Sequence, residues 1–287
     1  LTISAVFQIR ATLSGTYYGT ITASANITLD SIPRASSVSA GNMTLGSVGK
    51  INISRASSSF THTLTYSFGN TSGTIATKTT ATSVSWTPSL SLANQIPNAT
   101  SGTCTITCTT YNGNTNIGAK TCTLSLSVPA SVKPTISSLS AARIDGEVPS
   151  AWGIYVQTKS KVKLTINGAA GSYGSTIKSY SITGGGYSGS ASTLTTGFLN
   201  NSGTITFKAT VTDSRGRVSA EASVSITVTA YSPPYFNSSL SQRCLSNGTL
   251  DDDGTYIHAL VSFGYSTCGG KNTLKTSVQY KQVAAEQ

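Results

Sequence analysis

Charge is scarce in this sequence. Only 10% of its 287 residues are Asp, Glu, Lys or Arg, and its nine acids leave the stretch from Ser31 to Ile144 without a single carboxylate. A glycosidase needs two carboxylates flanking one bond, so that chemistry is nearly excluded. Histidine is almost missing too, with His62 and His258 alone, and Met43 is the one methionine. No apolar run approaches the ~18 residues of a membrane helix, so no membrane span is expected. Neither an initiator Met nor a signal peptide is visible. The opening Leu1-Thr-Ile-Ser is already strand-like, which reads as a segment whose first module is incomplete.

What replaces charge is hydroxyl. Ser and Thr number 92, beside 27 Gly and 13 Tyr. Disorder needs low hydrophobicity with high net charge, and this composition has neither. Thr, Val, Ile and Tyr favour half-buried pleated surfaces while helix formers are sparse, so the class is all-β. The net charge of +10 comes from bases scattered singly. Such a surface attracts anionic polymers without specificity, and specific nucleic-acid binding is not expected.

Five cysteines, Cys104, Cys108, Cys122, Cys244 and Cys268, form an odd and uneven set with no CxxC spacing. In Cys104-Thr-Ile-Thr-Cys108 the two thiols share a strand face with Ile106. Two readings follow: small buried core residues, or a cross-strand disulfide between Cys108 and Cys122 around Asn112-Gly113.

A repeat organises the chain. Ser36-Ser-Val-Ser39 recurs as Ser137-Ser-Leu-Ser140 and as Ser238-Ser-Leu-Ser241, at intervals of 101 residues and each after a proline. At the same offset Cys104, Ile106 and Cys108 fall on Ile205, Phe207 and Ala209, all apolar, which favours the core reading of the thiols. Lys50-Ile-Asn-Ile-Ser-Arg55 resembles Lys161-Val-Lys-Leu-Thr-Ile166 at an offset of 111, so the second copy carries about ten extra residues near 145–152. Units of this length, with alternating strands such as Val224-Ser-Ile-Thr-Val228, predict tandem immunoglobulin- or fibronectin-like β-sandwiches joined as an elongated rod. The expected boundaries are 1–33 (closing strands of an upstream β-sandwich), 34–133 and 134–233 (complete modules) and 234–287 (a partial module).

Candidate sites are few. His62 alternates with Phe60, Leu64 and Tyr66 and reads as a satisfied, partly buried histidine, and His258 in Tyr256-Ile-His-Ala-Leu260 reads the same way. Asp251-Asp252-Asp253-Gly254 is either a turn closed by Asx hydrogen bonds or a cation site using Asp251 and Asp253, without the spacing of an EF-hand. Gly184-Gly-Gly186 lacks the lysine and helix of a phosphate cradle and reads as a flexible tip. Tyr17, Tyr18, Tyr173, Tyr187 and Trp152 lie in or near Gly-rich turns, where rings either stack on sugars or simply pack. Gly15-Thr-Tyr-Tyr-Gly19 is expected as a turn, and Trp86 as core. No cofactor and no catalytic residue is expected.

Three stretches carry a family resemblance: Ser31-Ile-Pro-Arg-Ala-Ser36, Val84-Ser-Trp-Thr-Pro88, and Arg243-Cys followed by Asn247-Gly-Thr and Asp252-Asp-Gly-Thr-Tyr256. In this order they resemble the minor structural tail proteins of siphophages that infect Gram-positive bacteria. There a lectin-like sandwich, immunoglobulin-like modules and a domain with the last pattern follow one another. The resemblance implies a non-enzymatic virion protein of the tail tip or baseplate, outside the cell. Its partners would be other tail proteins, copies of itself and host cell-wall polysaccharide. The competing readings are a bacterial surface adhesin or carbohydrate-binding protein, which would normally bring a signal peptide and an anchor, and a wall-degrading enzyme whose active site lies elsewhere.

Overall fold

A computed structural model describes residues 2–28, 34–144 and 146–279, with the backbone alone for Thr2, Ile3, Tyr18, Ile27 and Thr28. The chain divides into two compact units, Leu1–Pro129 and Ala130–Gln287. Each contains one complete β-sandwich and one two-stranded hairpin.

The first unit opens with the hairpin, β1 (Thr2–Leu13) and β2 (Thr16–Thr28). Its sandwich follows as β3 (Ser37–Ala40), β4 (Met43–Thr44), β5 (Gly49–Ser54), β6 (Phe60–Phe68), β7 (Thr71–Thr79), β8 (Ser83–Trp86), β9 (Ser101–Asn112) and β10 (Thr115–Ser127). Strands β3-β5-β8 make one sheet and β4-β10-β9-β6-β7 the other. The second unit has β11 (Ser138–Ile144), β12 (Tyr155–Val156), β13 (Lys161–Asn167), β14 (Ile177–Gly184), β15 (Tyr187–Gly189), β16 (Thr193–Thr195), β17 (Gly203–Asp213) and β18 (Ala222–Thr229), then a hairpin of β19 (Tyr235–Cys244) and β20 (Tyr256–Gly264). Its sheets are β11-β13-β16 and β12-β18-β17-β14-β15, the same order strand for strand. The fold is therefore all-β, with two tandem immunoglobulin-like sandwiches.

Alternation explains the burial. Along β9, Cys104, Ile106 and Cys108 are each 0% exposed, and along β17 Ile205, Phe207 and Ala209 are buried too, at 7%, 0% and 2%, so equivalent positions fill equivalent cores. The intervening Thr and Lys side chains form the wetter face of an antiparallel sheet. In the first sheet of each sandwich, Val38 pairs with Ile53 and Leu139 with Ile166. That pairing matches Ile51 and Ile53 to Leu164 and Ile166, an offset of 113 rather than 111. A two-residue error keeps the same strand face, which is why apolar pattern alone does not detect it.

The hairpins differ from the sandwiches. Register puts Ala5/Ala25, Phe7/Ala23, Ile9/Ile21 and Ala11/Gly19 on one face of β1–β2, and Ser4/Asn26, Gln8/Thr22 and Arg10/Thr20 on the other. The apolar face is bare, with Phe7, Ile9 and Ile21 at 63%, 70% and 73% exposure. Two strands are connected through Ser14 and Gly15, both at positive φ, as a two-residue hairpin turn requires. The expected turn over Gly15–Gly19 is thus shorter than its glycines suggested, and Tyr17 and Tyr18 stand in β2. In β19–β20 the exposed set includes Phe236, Leu240, Ile257 and Leu260, spread over both faces.

Candidate functional site

The cysteines resolve first. All five are free thiols. Across β9–β10, Cys122 stands opposite Ile106 and Cys108 opposite Lys120, so the proposed Cys108–Cys122 disulfide is not formed. Burial raises the thiol pKa of Cys108, Cys122 and Cys268, and pushes Cys104 to about 11, with the neighbouring Cys122 adding to it. Raised in this way, the thiols carry little of the thiolate that makes cysteine nucleophilic at neutral pH.

His62 is 0% exposed, flanked along β6 by the buried Phe60 and Leu64. Its Nε2 and the Ser36 hydroxyl are hydrogen-bonded at 2.9 Å, and the Ser36 amide donates to Thr110 Oγ1 at 2.9 Å. Burial lowers its pKa, against a backbone contact at Thr79 that raises it, so the ring is a neutral core group. His258 departs from expectation: it lies opposite Gln242 on β20 and is exposed. Period-two alternation says which residues share a face, but not whether anything covers it.

Asp251 closes a turn. Its Oδ1 accepts the Asp253 amide at 2.8 Å and its carbonyl accepts the Gly254 amide at 3.0 Å, while Arg243 donates to the Asp252 carbonyl at 3.3 Å. One oxygen of the Asp251 carboxylate is engaged within the loop itself, and the Asp253 side chain is exposed. Among the described residues no three His, Cys, Asp or Glu side chains gather in a metal-holding group.

The aromatic candidates separate into different environments. Tyr17 is exposed on β2, its hydroxyl hydrogen-bonded to that of Thr20, and the side chain of Tyr18 lies outside the described residues. Tyr187 begins β15, packs against the second core and donates its hydroxyl to the Phe198 carbonyl at 2.6 Å, which commits both ring and hydroxyl to the fold. The Tyr173 carbonyl accepts from Arg215 at 2.6 Å. Trp86 is half-buried against Tyr66, ring centres 5.0 Å apart.

Trp152 belongs to a feature that the sequence did not assemble. The segment between β11 and β12, where the extra residues of the second copy lie, carries a short 3-10 helix, Ser150–Trp152. It packs back as a small second core: Val148, Val156 and Cys268 are buried, with Trp152, Ile154 and Tyr231 against them. Above this core opens a cavity of about 230 Å³, lined by Glu147, Trp152, Lys159, Tyr231 and Asn272 among others. Glu147 and Lys159 form an ion pair at 2.8 Å. Tyr231, Cys268 and Asn272 come from more than seventy residues further along, and no local motif links them to Trp152.

A family profile described as a siphovirus protein of unknown function matches residues 2–250. The chain belongs to that siphovirus family. No curated protein matches it. Solved structures similar to it include fibronectin(III)-like modules of Clostridium thermocellum CbhA, at 16% identity and a TM-score of 0.28 over 67% of this chain and 94% of that one. A segment of titin domains matches at 17% identity and TM-score 0.28, over 79% of this chain and 75% of that one. The chicken interferon gamma receptor alpha chain matches at 10% and 0.29, over 69% and 99%. Among the described residues of this family member, no helix is long and apolar enough to cross a membrane.

Proposed function

We propose that this chain is a non-enzymatic structural module of a siphophage tail tip or baseplate, exposed on the virion, which spaces neighbouring tail proteins and meets host cell-wall carbohydrate. The observation that carries the reading is duplication: two sandwiches of identical strand order follow each other within a siphovirus family protein. Repeating a scaffold extends a protein without adding chemistry, which is what a spacer needs. The buried Cys104 and Cys108 and the buried His62, all part of the first core, agree with a role that transforms no substrate. Partners of β type, either other tail proteins or further copies of this chain, would suit the bare apolar face of β1–β2, because an isolated two-stranded hairpin is marginal in water.

The test is localisation. Antibodies raised against the 287-residue chain should label the tail tip of purified virions in electron micrographs, and its peptides should persist in virions through density-gradient purification. Absence from gradient-purified particles would overturn the reading. For the carbohydrate contact, the chain should sediment with isolated host walls and be released by soluble wall polysaccharide. Sedimentation that polysaccharide leaves unchanged would remove that part.

A further inference from the structure

The β11–β12 segment has no counterpart in the first sandwich, which closes its own core without one. Ala40 to Gly49 joins β3 to β5 there, whereas Ile144 to Lys161 joins β11 to β13. Loops of this kind are where function is added to a conserved scaffold. Here the added residues and later segments together make a cleft with a hydrophobic floor, two aromatic rings and three polar side chains. We propose that this cleft holds one neutral pyranose unit of a polysaccharide. The proposal rests on the reading that the chain meets wall carbohydrate and assigns a place to that contact.

Size and chemistry both point this way. At about 230 Å³ the cavity is smaller than the ~300–1,000 Å³ of sites for drug-sized ligands, which suits a single sugar ring. Half-buried Trp152 and Tyr231 offer apolar ring surface to the C–H faces of a pyranose, while a polar rim engages its hydroxyls. Glu147 accepts, Lys159 donates, and the Asn272 amide can do both. The 2.8 Å ion pair leaves Glu147 and Lys159 with no net charge between them. An anionic sugar would meet the Glu147 carboxylate and a cationic one the Lys159 ammonium, so a neutral ring is the species both tolerate.

The walls are already tied in place. The Arg143 guanidinium donates to the carbonyls of Val148, Pro149 and Ser150 at 3.0–3.3 Å, pinning the base of the inserted segment. Gln157 accepts the Tyr231 amide at 3.3 Å and donates to the Asn200 carbonyl at 2.8 Å. Asn272 donates to the Ser266 carbonyl at 2.8 Å. A ligand that finds its contacts preformed loses less entropy on binding, which matters most for a weak one.

Tryptophan fluorescence offers a local readout, because the chain's other tryptophan, Trp86, is stacked on Tyr66 in the first sandwich. The whole 287-residue chain would be titrated with glucose, galactose, rhamnose and N-acetylglucosamine, with glucuronate and glucosamine as charged controls. At least one neutral sugar should give a saturable change with Kd on the order of 1–10 mM, about −3 to −4 kcal/mol. Saturation-transfer NMR should find that binding weakened tenfold or more in Trp152→Ala and in Glu147→Lys. The second variant alters an exposed rim residue, so it reports on the site even if the first loosens the junction. Failure of every neutral sugar, or a preference for a charged control, overturns the proposal. Binding that survives both variants also overturns it, while leaving wall contact to another surface. Loss of wall sedimentation in the unmodified chain would instead sink the broader reading.

Discussion

The two sandwiches share a strand order and differ in where they bury polarity. The first places it in the middle of a sheet: His62 pairs with Thr110 across β6–β9, and both are fully buried with Ser36. At the equivalent place in the second, Tyr180 pairs with Val211, an apolar match that needs no internal hydrogen bond. The second buries charge, at a loop. Asp213 is 0% exposed, and its Oδ1 accepts the amides of Arg215 and Arg217 at 3.0 and 2.9 Å. The Arg215 guanidinium reaches the carbonyls of Ser172 and Tyr173, both at 2.6 Å, so one ionic loop laces the end of β17 to the turn before β14. The first sandwich joins the corresponding strands by the short turn at Gly113 and needs no such clamp. A duplicated scaffold keeps its apolar pattern and relocates its polar exceptions.

The comparison breaks most visibly at equivalent core positions. Ile106→Ala and Phe207→Ala each remove a wholly buried side chain, and each should destabilise by about 4 kcal/mol. Urea denaturation followed by hydrogen exchange should show the loss confined to the mutated sandwich, and a loss spread over both would mean that they fold as one. Next, Asp213→Ala should cost about 3 kcal/mol, because it strands the buried Arg215 and two amides. The same measurement on Asn112→Ala, its counterpart at the 101-residue offset, should show less than 1 kcal/mol, since that residue is exposed. Gly113 and Gly216 both hold positive φ in open space, so each Gly→Ala change should cost about 1 kcal/mol through backbone strain alone. Equal melting shifts are expected, and a large inequality would mean that one turn is doing more than reversing the chain.

The smallest effect is a slope with pH. Burial holds the His62 pKa below its ordinary 6.5. The unfolded chain therefore takes up the proton first, and stability of the first sandwich falls as pH drops from 6.5 through the folded-state value, levelling out below it. Arg55 is a nearby charge that pushes in the same direction. The second sandwich should lack this slope, and His62→Leu with Thr110→Val should remove it from the first. A slope that persists in the double variant would assign it to another group.

Much of this architecture was legible because it rests on period-two alternation, which a 101-residue comparison doubles in strength. Cys104 and Cys108 read as core once Ile205 and Ala209 lay beneath them. The break in offset near residue 145 also marked the inserted segment. What alternation does not encode is coverage: His258 and Phe7 occupy regular strands, and only the assembled sheets show both to be bare. Hydrogen bonding is equally silent in sequence, so Tyr187 was offered for stacking although its hydroxyl is committed to Phe198. The cleft needed Trp152, Tyr231 and Asn272 brought together from distant segments, which is a tertiary event with no local signature.

Both sandwiches also contain a short pairing whose meaning is mechanical. Met43–Thr44 runs parallel to Leu126–Ser127, and Tyr155–Val156 runs parallel to Val228–Thr229, the first crossing strand against the last. Tension along the polypeptide pulls the two partners of each pair in opposite directions along their common axis. Their hydrogen bonds, extended by Leu45 to Ser127 and by Gln157 to Thr229, are then loaded in shear together and not peeled one after another. Resistance to stretching in each sandwich is then set by how fast these few bonds fail together and not by thermodynamic stability alone.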